Sequence, residues 1–289
     1  MQLQKKLEAQ EFVILAELEP PKGTDVSDLA ANATKVKGRV DAFVIPEMSN
    51  AVMRLSSLGG ALLLANRGLE TVMQVCCRDR NRLALQGDLL AAGALGVANV
   101  MAVTGEDITH GDHHRARAVN DIDLLELLGA INTMKNGKDM AGVELKGSPN
   151  FFVGAAVNLT LGSPEVELAA LDQKMAAGAR FFVTPPIFDL TVLDRFAKRL
   201  GERGAYLIPT VLLLKSVGMA RYIDRHMEHI DIPPETIRRL QNAPERGREC
   251  VQIAAELVAA LKAKKVSGVN IVTIGWEDKL PQILSAAGI

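Results

Sequence analysis

Eight short apolar runs, each followed by a helical pattern, constrain this chain more than any other feature. They fall at 12–18, 41–45, 71–76, 98–103, 151–156, 180–184, 205–210 and 268–274. Most are apolar on both faces instead of alternating, as in a parallel sheet covered by helices. "AAGALGVANVMAVTG", "MAAGARFFVTPP" and "AKKVSGVNIVTIG" each run from a helix end through glycine into a strand. Glycine there supplies the left-handed C-cap that turns the chain. Helices fit the intervals, for example 80–95 and 163–178, the latter with Ser163 as N-cap. Eight strand–helix units in 289 residues predict an α/β (β/α)8 TIM barrel, one domain over 1–289. A doubly wound open sheet is the alternative, disfavoured by the absence of a G-x-G-x-x-G after the first strand. The stretch 215–264 is the longest unit and holds two or three helices, broken at "IDIPPET".

A barrel puts its site at the C-terminal strand ends. There this sequence turns polar and proline-rich: "ELEPP", "PEMSN", "CCRDRNR", "TGED", "AVN", "TPPIFD" and "GWED". Glu17 lies within the first run and Glu19 two residues on, on the same side of the strand. Burial of Glu17 without a cation raises its pKa and makes it a proton donor near neutrality; a structural ion pair is the other reading. Glu19, beside Pro20 at the exit, reads as a solvated rim carboxylate. Arg78, Arg80 and Arg82 in "CRDRNR" read either as an anion clamp or as a loop salt-bridged to Asp79. Gly105 and Glu106 in "TGED" suit a backbone approach and an N–H-rich heterocycle.

Other motifs point less directly. "HGDHH" (His110 to His114) reads as a loop tethered by hydrogen bonds, with a metal cluster as the alternative; no metal is expected. His226 and His229 sit on an expected surface helix. Cys76, Cys77 and Cys250 are too few and too badly spaced for a disulfide framework or a zinc site, and Cys76 reads as a small core residue. No nucleophile elbow or P-loop occurs. Net charge is −1 and aromatic content 4 %, which argue against nucleic-acid partners. No apolar run is long enough for a membrane span, and "MQLQKKLEAQEF" is too polar for a signal peptide. A soluble cytoplasmic protein is expected.

Taken together, these motifs resemble the methylenetetrahydrofolate reductase family, essentially end to end from "AELEPP" to "NIVTIGWEDKLPQIL". "CRDRNRLALQGDLLAAGALGVANVMAVTGED", "GAAVN", "KMAAGARFFVTPPIFD" and "LLLKS" carry most of the likeness, and they look most like the branch without a fused regulatory domain. The resemblance implies a (β/α)8 barrel, FAD on its C-terminal face, and reduction of 5,10-methylenetetrahydrofolate to 5-methyltetrahydrofolate. It implies that Glu17 is the general acid that protonates folate N10. Glu106 matches a carboxylate near the flavin pyrimidine and the pterin, so both acids are catalytic and substrate-binding candidates. Implied flavin contacts are Gln74, Arg78, Thr104, Gly105, Glu106, Val157 and Lys174, and Pro185 stands at a folate position.

This chain departs from the family pattern at several places. Glu19 stands where an aromatic is usual, and as a near neighbour it would raise the pKa of Glu17. Val157 and Val217 replace aromatics, and Pro185 replaces a glutamine. The electron donor is accordingly left open between NADH, NADPH and a redox partner subunit. A homo-oligomer is expected. Two alternatives stand beside the reductase: a corrinoid-linked methyltetrahydrofolate methyltransferase barrel, and a subunit of a larger redox complex.

Overall fold

A computed structural model describes residues 2–159, 163–227, 230–264 and 266–289. Eight parallel strands close into a barrel in the order β1-β2-β3-β4-β5-β6-β7-β8. They are β1 Val13–Glu17, β2 Ala42–Ile45, β3 Thr71–Cys76, β4 Asn99–Val103, β5 Phe152–Ala156, β6 Phe181–Pro186, β7 Tyr206–Leu212 and β8 Gly268–Val272. The helices are α1 Gln2–Glu8, α2 Ser27–Lys35, α3 Ser57–Ala65, α4 Arg82–Ala94, α5 Leu124–Lys135, α6 Pro164–Ala176, α7 Leu193–Gly201, α8 Val217–His226, α9 Pro234–Asn242, α10 Arg246–Ala263 and α11 Leu280–Ala286. The expected barrel is the observed one, and every expected strand coincides with an observed strand to within two residues. Some helix starts follow side-chain capping, at Asn81 for α4, at Ser163 for α6 and through an Asp123–Glu126 capping box for α5.

Strand periodicity divides the core in two. Val13, Leu15, Val44, Val72, Met101, Phe181, Val183 and Ile208 fill the barrel interior. Their neighbours Ile14, Ala16, Phe43, Met73, Val100, Phe182 and Leu207 pack outward against the helices. Glu17 shares the inward parity of Val13 and Leu15, so the period of two alone aims it into the mouth.

The first segment has a role that its polarity concealed. Leu3 and Leu7 of α1 are fully buried and join the interior cluster, so α1 closes the N-terminal end of the barrel. Glu70 holds it there, accepting the N–H groups of Gln2 at 2.7 Å and Leu3 at 3.1 Å while receiving Asn99 Nδ2 at 3.0 Å. A carboxylate at a helix N-terminus also suits the helix dipole. The opposite end therefore remains the open one, where the polar strand ends gather.

Candidate active site

Glu17 ends β1 on the floor of this mouth. Part of its side chain still reaches water, but protein encloses the carboxyl on nearly all sides. Loss of solvation pushes its pKa up to about 8, and the charges of Glu19, Glu106 and Glu277 push the same way, in that order of effect. No cation is among these influences. Of the two readings open for Glu17, the structure shows the unpaired one.

Glu19 differs from its expected solvated state. It is half-buried, and its Oε1 lies 2.9 Å from Arg54 Nε. The cause is the loop after β2, which folds over the exit of β1: Leu55 N–H donates to the Pro21 carbonyl, and Arg54 NH1 donates to the Pro20 carbonyl at 3.3 Å. Desolvation raises the pKa of Glu19, and Arg54 opposes that rise. Glu19 thus adds negative charge beside Glu17 while remaining held itself.

The loops after β2, β3 and β4 lock into one rim. Arg78 is 2 % exposed. Its guanidinium grips both oxygens of Asp79 at 2.7 and 2.8 Å, the Glu106 carbonyl at 3.1 Å and the Met48 carbonyl at 3.2 Å. Arg80 pairs with the buried Glu47 and with Asp88, each at 3.0 Å, and Arg82 pairs with Asp121 at 2.9 Å. All three arginines of "CRDRNR" are therefore paired with carboxylates of the protein. Gln74 points into the barrel and accepts the Glu47 N–H at 3.3 Å. Gly105 has φ +84°, and a Cβ there would lie 2.5 Å from Cys76 Sγ and 3.0 Å from Arg78 Cβ. Both conformation and space require glycine. Thr104 and Glu106 flank it and are exposed on the rim.

"HGDHH" is tethered through Asp112, which accepts from Lys22 Nζ, from Met53 N–H at 3.1 Å, and pairs with His113 Nδ1 at 2.8 Å. Among the described residues no group of three or more His, Cys, Asp or Glu is placed to hold a metal ion. His226 packs against Tyr222 in a tilted pair with ring centroids 4.6 Å apart; His229 lies outside the described residues. Burial holds the thiols of Cys76 and Cys77 up at about 11 and about 12, so neither is a nucleophile at neutral pH.

The β5 and β6 positions divide. Pro185 is half-buried with the inward parity of Phe181 and Val183, next to a register shift between Val183 and Pro186. Val157 is 3 % exposed and belongs to the apolar layer beneath the helices, so its side chain does not face the mouth. Lys174 donates to the Ala156 carbonyl at 2.8 Å, and desolvation lowers its pKa. Val217 packs against the helix-side core at the start of α8.

Several residues of the mouth escaped the sequence reading as individuals. Lys215 donates to the Ile274 carbonyl and lies 5.8 Å from the centroid of the Trp276 ring. Ile274 has φ +45° and Gly275 φ +80°. A β-branched residue in the left-handed region is an outlier, and strain of this kind gathers at functional sites. The turn sends Glu277 back to accept the Gly275 N–H at 2.7 Å. The available signal was the dense "TIGWED" at a strand end, whose conformation no periodicity reveals.

A sequence model of the family described as methylenetetrahydrofolate reductase matches residues 2–288. The chain belongs to this family. Among curated proteins, one named probable methylenetetrahydrofolate reductase (NADPH), from Caenorhabditis elegans, is 22 % identical over 253 residues, covering 81 % of this chain and 34 % of that protein. The chain thus spans about a third of the length of this relative. A solved structure, 2,3-dimethylmalate lyase in a trigonal crystal form, superposes with a TM-score of 0.53 at 12 % identity, covering 98 % of this chain and 80 % of that one. That likeness is one of fold alone. No helix among the described residues is long and apolar enough to cross a membrane.

Proposed function

We propose that this chain catalyses the flavin-dependent reduction of 5,10-methylenetetrahydrofolate to 5-methyltetrahydrofolate, with Glu17 as the general acid. The observation that carries this reading is a carboxyl at the barrel mouth, with no cation among the influences on it, whose pKa of about 8 keeps it protonated at neutral pH. Membership of the family supplies the reaction class.

The β3–β4 side of the mouth fits a flavin. Gly105 offers backbone with no room for a side chain, Thr104 and Glu106 are exposed beside it, and Gln74 faces inward. Glu106 suits an imide N–H, and Gln74 and Thr104 suit the ring edge. Arg78 contributes by fixing the three loops, since its guanidinium is already engaged with protein oxygens. Lys174 sits at the end of β5 beneath the same rim, and Val157 contributes backbone only. Bound FAD would supply the hydride.

Glu17 delivers its proton to substrate N10, which opens the five-membered ring to an iminium at N5. Hydride addition to the methylene carbon then completes the methyl group. Glu106 and Glu277 keep the mouth negative, which favours the developing cation and holds the proton on Glu17 until it is needed. Pro185 forms apolar wall on the opposite side. NADPH, NADH and a reduced partner subunit are the donors to compare, and the name of the nematode relative makes NADPH the first.

The test is anaerobic. Purified protein should carry or take up FAD, and 5-methyltetrahydrofolate should bleach the flavin band. Glu17→Gln should slow bleaching by at least about a hundredfold, the usual contribution of a positioned acid. A protein that cannot be reconstituted with FAD, or a Glu17→Gln variant that bleaches at the normal rate, refutes the proposal.

A further inference from the structure

The barrel interior holds an amide whose oxygen has no partner. Asn270 lies on β8 and is 2 % exposed. Its parity is opposite to that of the helix-facing Val269 and Ile271, so its side chain points into the barrel. Its Oδ1 is fully enclosed and accepts no hydrogen bond among the described residues. A buried acceptor in that state is costly, and native interiors supply a donor.

The other end of the amide is fixed. The Thr210 hydroxyl on β7 donates to the Thr184 carbonyl at 2.5 Å, so only its lone pairs remain for Asn270. Asn270 Nδ2 donates to them at 3.3 Å. Thr184 is free to take the hydroxyl because β6 and β7 slip register between Val183 and Pro186; a bulge interrupts the ladder and re-aims its groups. Turning the amide over would set two acceptors against each other. Oδ1 therefore lies on the side of β1, the other neighbour of β8.

Register then names the donor. Leu15 of β1 is level with Asn270, and Glu17 is the next residue of that parity towards the mouth. Two residues of rise and one strand spacing set the Glu17 and Asn270 Cα atoms roughly 8 Å apart, a gap that the two side chains span end to end. The other residues of that parity around Asn270 on β7, β8 and β1 are Ile208, Leu212, Val272, Val13 and Leu15, all apolar. The Glu17 carboxyl keeps its proton at neutral pH, and no hydrogen bond is among the influences on it.

We infer that Asn270 is a positioning residue for Glu17: its Oδ1 accepts the hydrogen bond of the protonated carboxyl, and Thr210 and Thr184 hold the amide in that sense. The inference rests on Glu17 being the general acid proposed above. A hydrogen bond to the neutral form of an acid favours that form. Asn270 thus acts together with Glu19 on the same strand, Glu106 after β4 and Glu277 after β8, while the cations Arg54 and Lys215 act on Glu19. Once substrate N10 has taken the proton, the carboxylate faces an oxygen, and Glu17 recovers its acid form by taking a proton from solvent.

Carboxyl carbon-13 NMR on the full protein, labelled at glutamate and held in one flavin state, tests this. The Glu17 signal is the one missing from Glu17→Gln, and in the parent it should titrate at about 8. Asn270→Leu keeps the volume and removes the acceptor; it should lower that midpoint by about half a pH unit or more, the worth of one buried hydrogen bond. Thr210→Val should lower it as well, because the freed amide turns Nδ2 to the carboxylate, whereas Thr210→Ser should keep the parental value. The basic limb of the kcat profile should move with the midpoint, and the KM for methylenetetrahydrofolate should change little. Unshifted or raised midpoints in Asn270→Leu and Thr210→Val would overturn the inference, and the Thr210 pair decides it if Asn270→Leu does not fold. A lowered midpoint in a protein that reduces no methylenetetrahydrofolate supports the hydrogen bond and removes the reaction. An unshifted midpoint in an active protein removes the hydrogen bond and leaves the reaction standing.

Discussion

Replacing Glu17 by glutamine should change how stability depends on pH, independently of any activity. The carboxyl of Glu17 stands at about 8 in the folded chain against an ordinary 4.5. Below pH 4.5 it is protonated in both states and costs nothing. Between 4.5 and 8 the unfolded chain releases the proton while the folded chain retains it, so stability falls as pH rises; above 8 the loss is complete. At about 1.4 kcal/mol per pH unit the full loss is about 5 kcal/mol, and water at the mouth reduces it towards about 3 kcal/mol. Glutamine keeps the shape and has no proton to lose. Urea unfolding of both proteins, in the same flavin state, at pH 5, 7 and 9 tests this. Part of the loss is already present at pH 5, so the variant should gain stability relative to the parent by about 2 to 4 kcal/mol between pH 5 and 9. Parallel pH profiles would show that Glu17 is not held protonated by its surroundings, and the general-acid assignment would lose its physical basis.

Glu19→Gln removes the largest of the like-charge influences on Glu17 and should move the basic limb of the kcat/KM profile to lower pH, by less than one unit because Arg54 already offsets part of that charge. Gly105→Ala forces a Cβ onto Cys76 Sγ at a positive φ; we expect a loss of about 2 kcal/mol or more in urea unfolding and weaker flavin retention on gel filtration.

The strand–helix count, the glycine-led strand entries and the polar strand ends were legible because each depends on local chemistry: period-two burial, helix capping and turn formation. Glu17 was legible as a candidate for the same reason, since strand parity fixes which way it points. Its lack of a cation was not. Whether Arg54 pairs with Glu17 or with Glu19 depends on how the β2 loop folds over β1, and the two positions are 35 to 37 residues from it in sequence. The same limit left "CRDRNR" open between clamp and brace, because only Asp79 lies within the motif, while Glu47, Asp88 and Asp121 come from three separate places outside it.

An eightfold barrel with its site at the strand ends, and an acid at the end of β1, were written into the residue pattern itself. Those features follow from hydrophobic periodicity, which a chain carries residue by residue. Tertiary structure alone decided the electrostatics. It brought Glu106 and Glu277, from opposite arcs of the barrel, within range of Glu17, gave Arg78 to the rim, and set Asn270 against Thr210. Coulomb energy depends on distance through space and on the surrounding dielectric, and closing the barrel sets both.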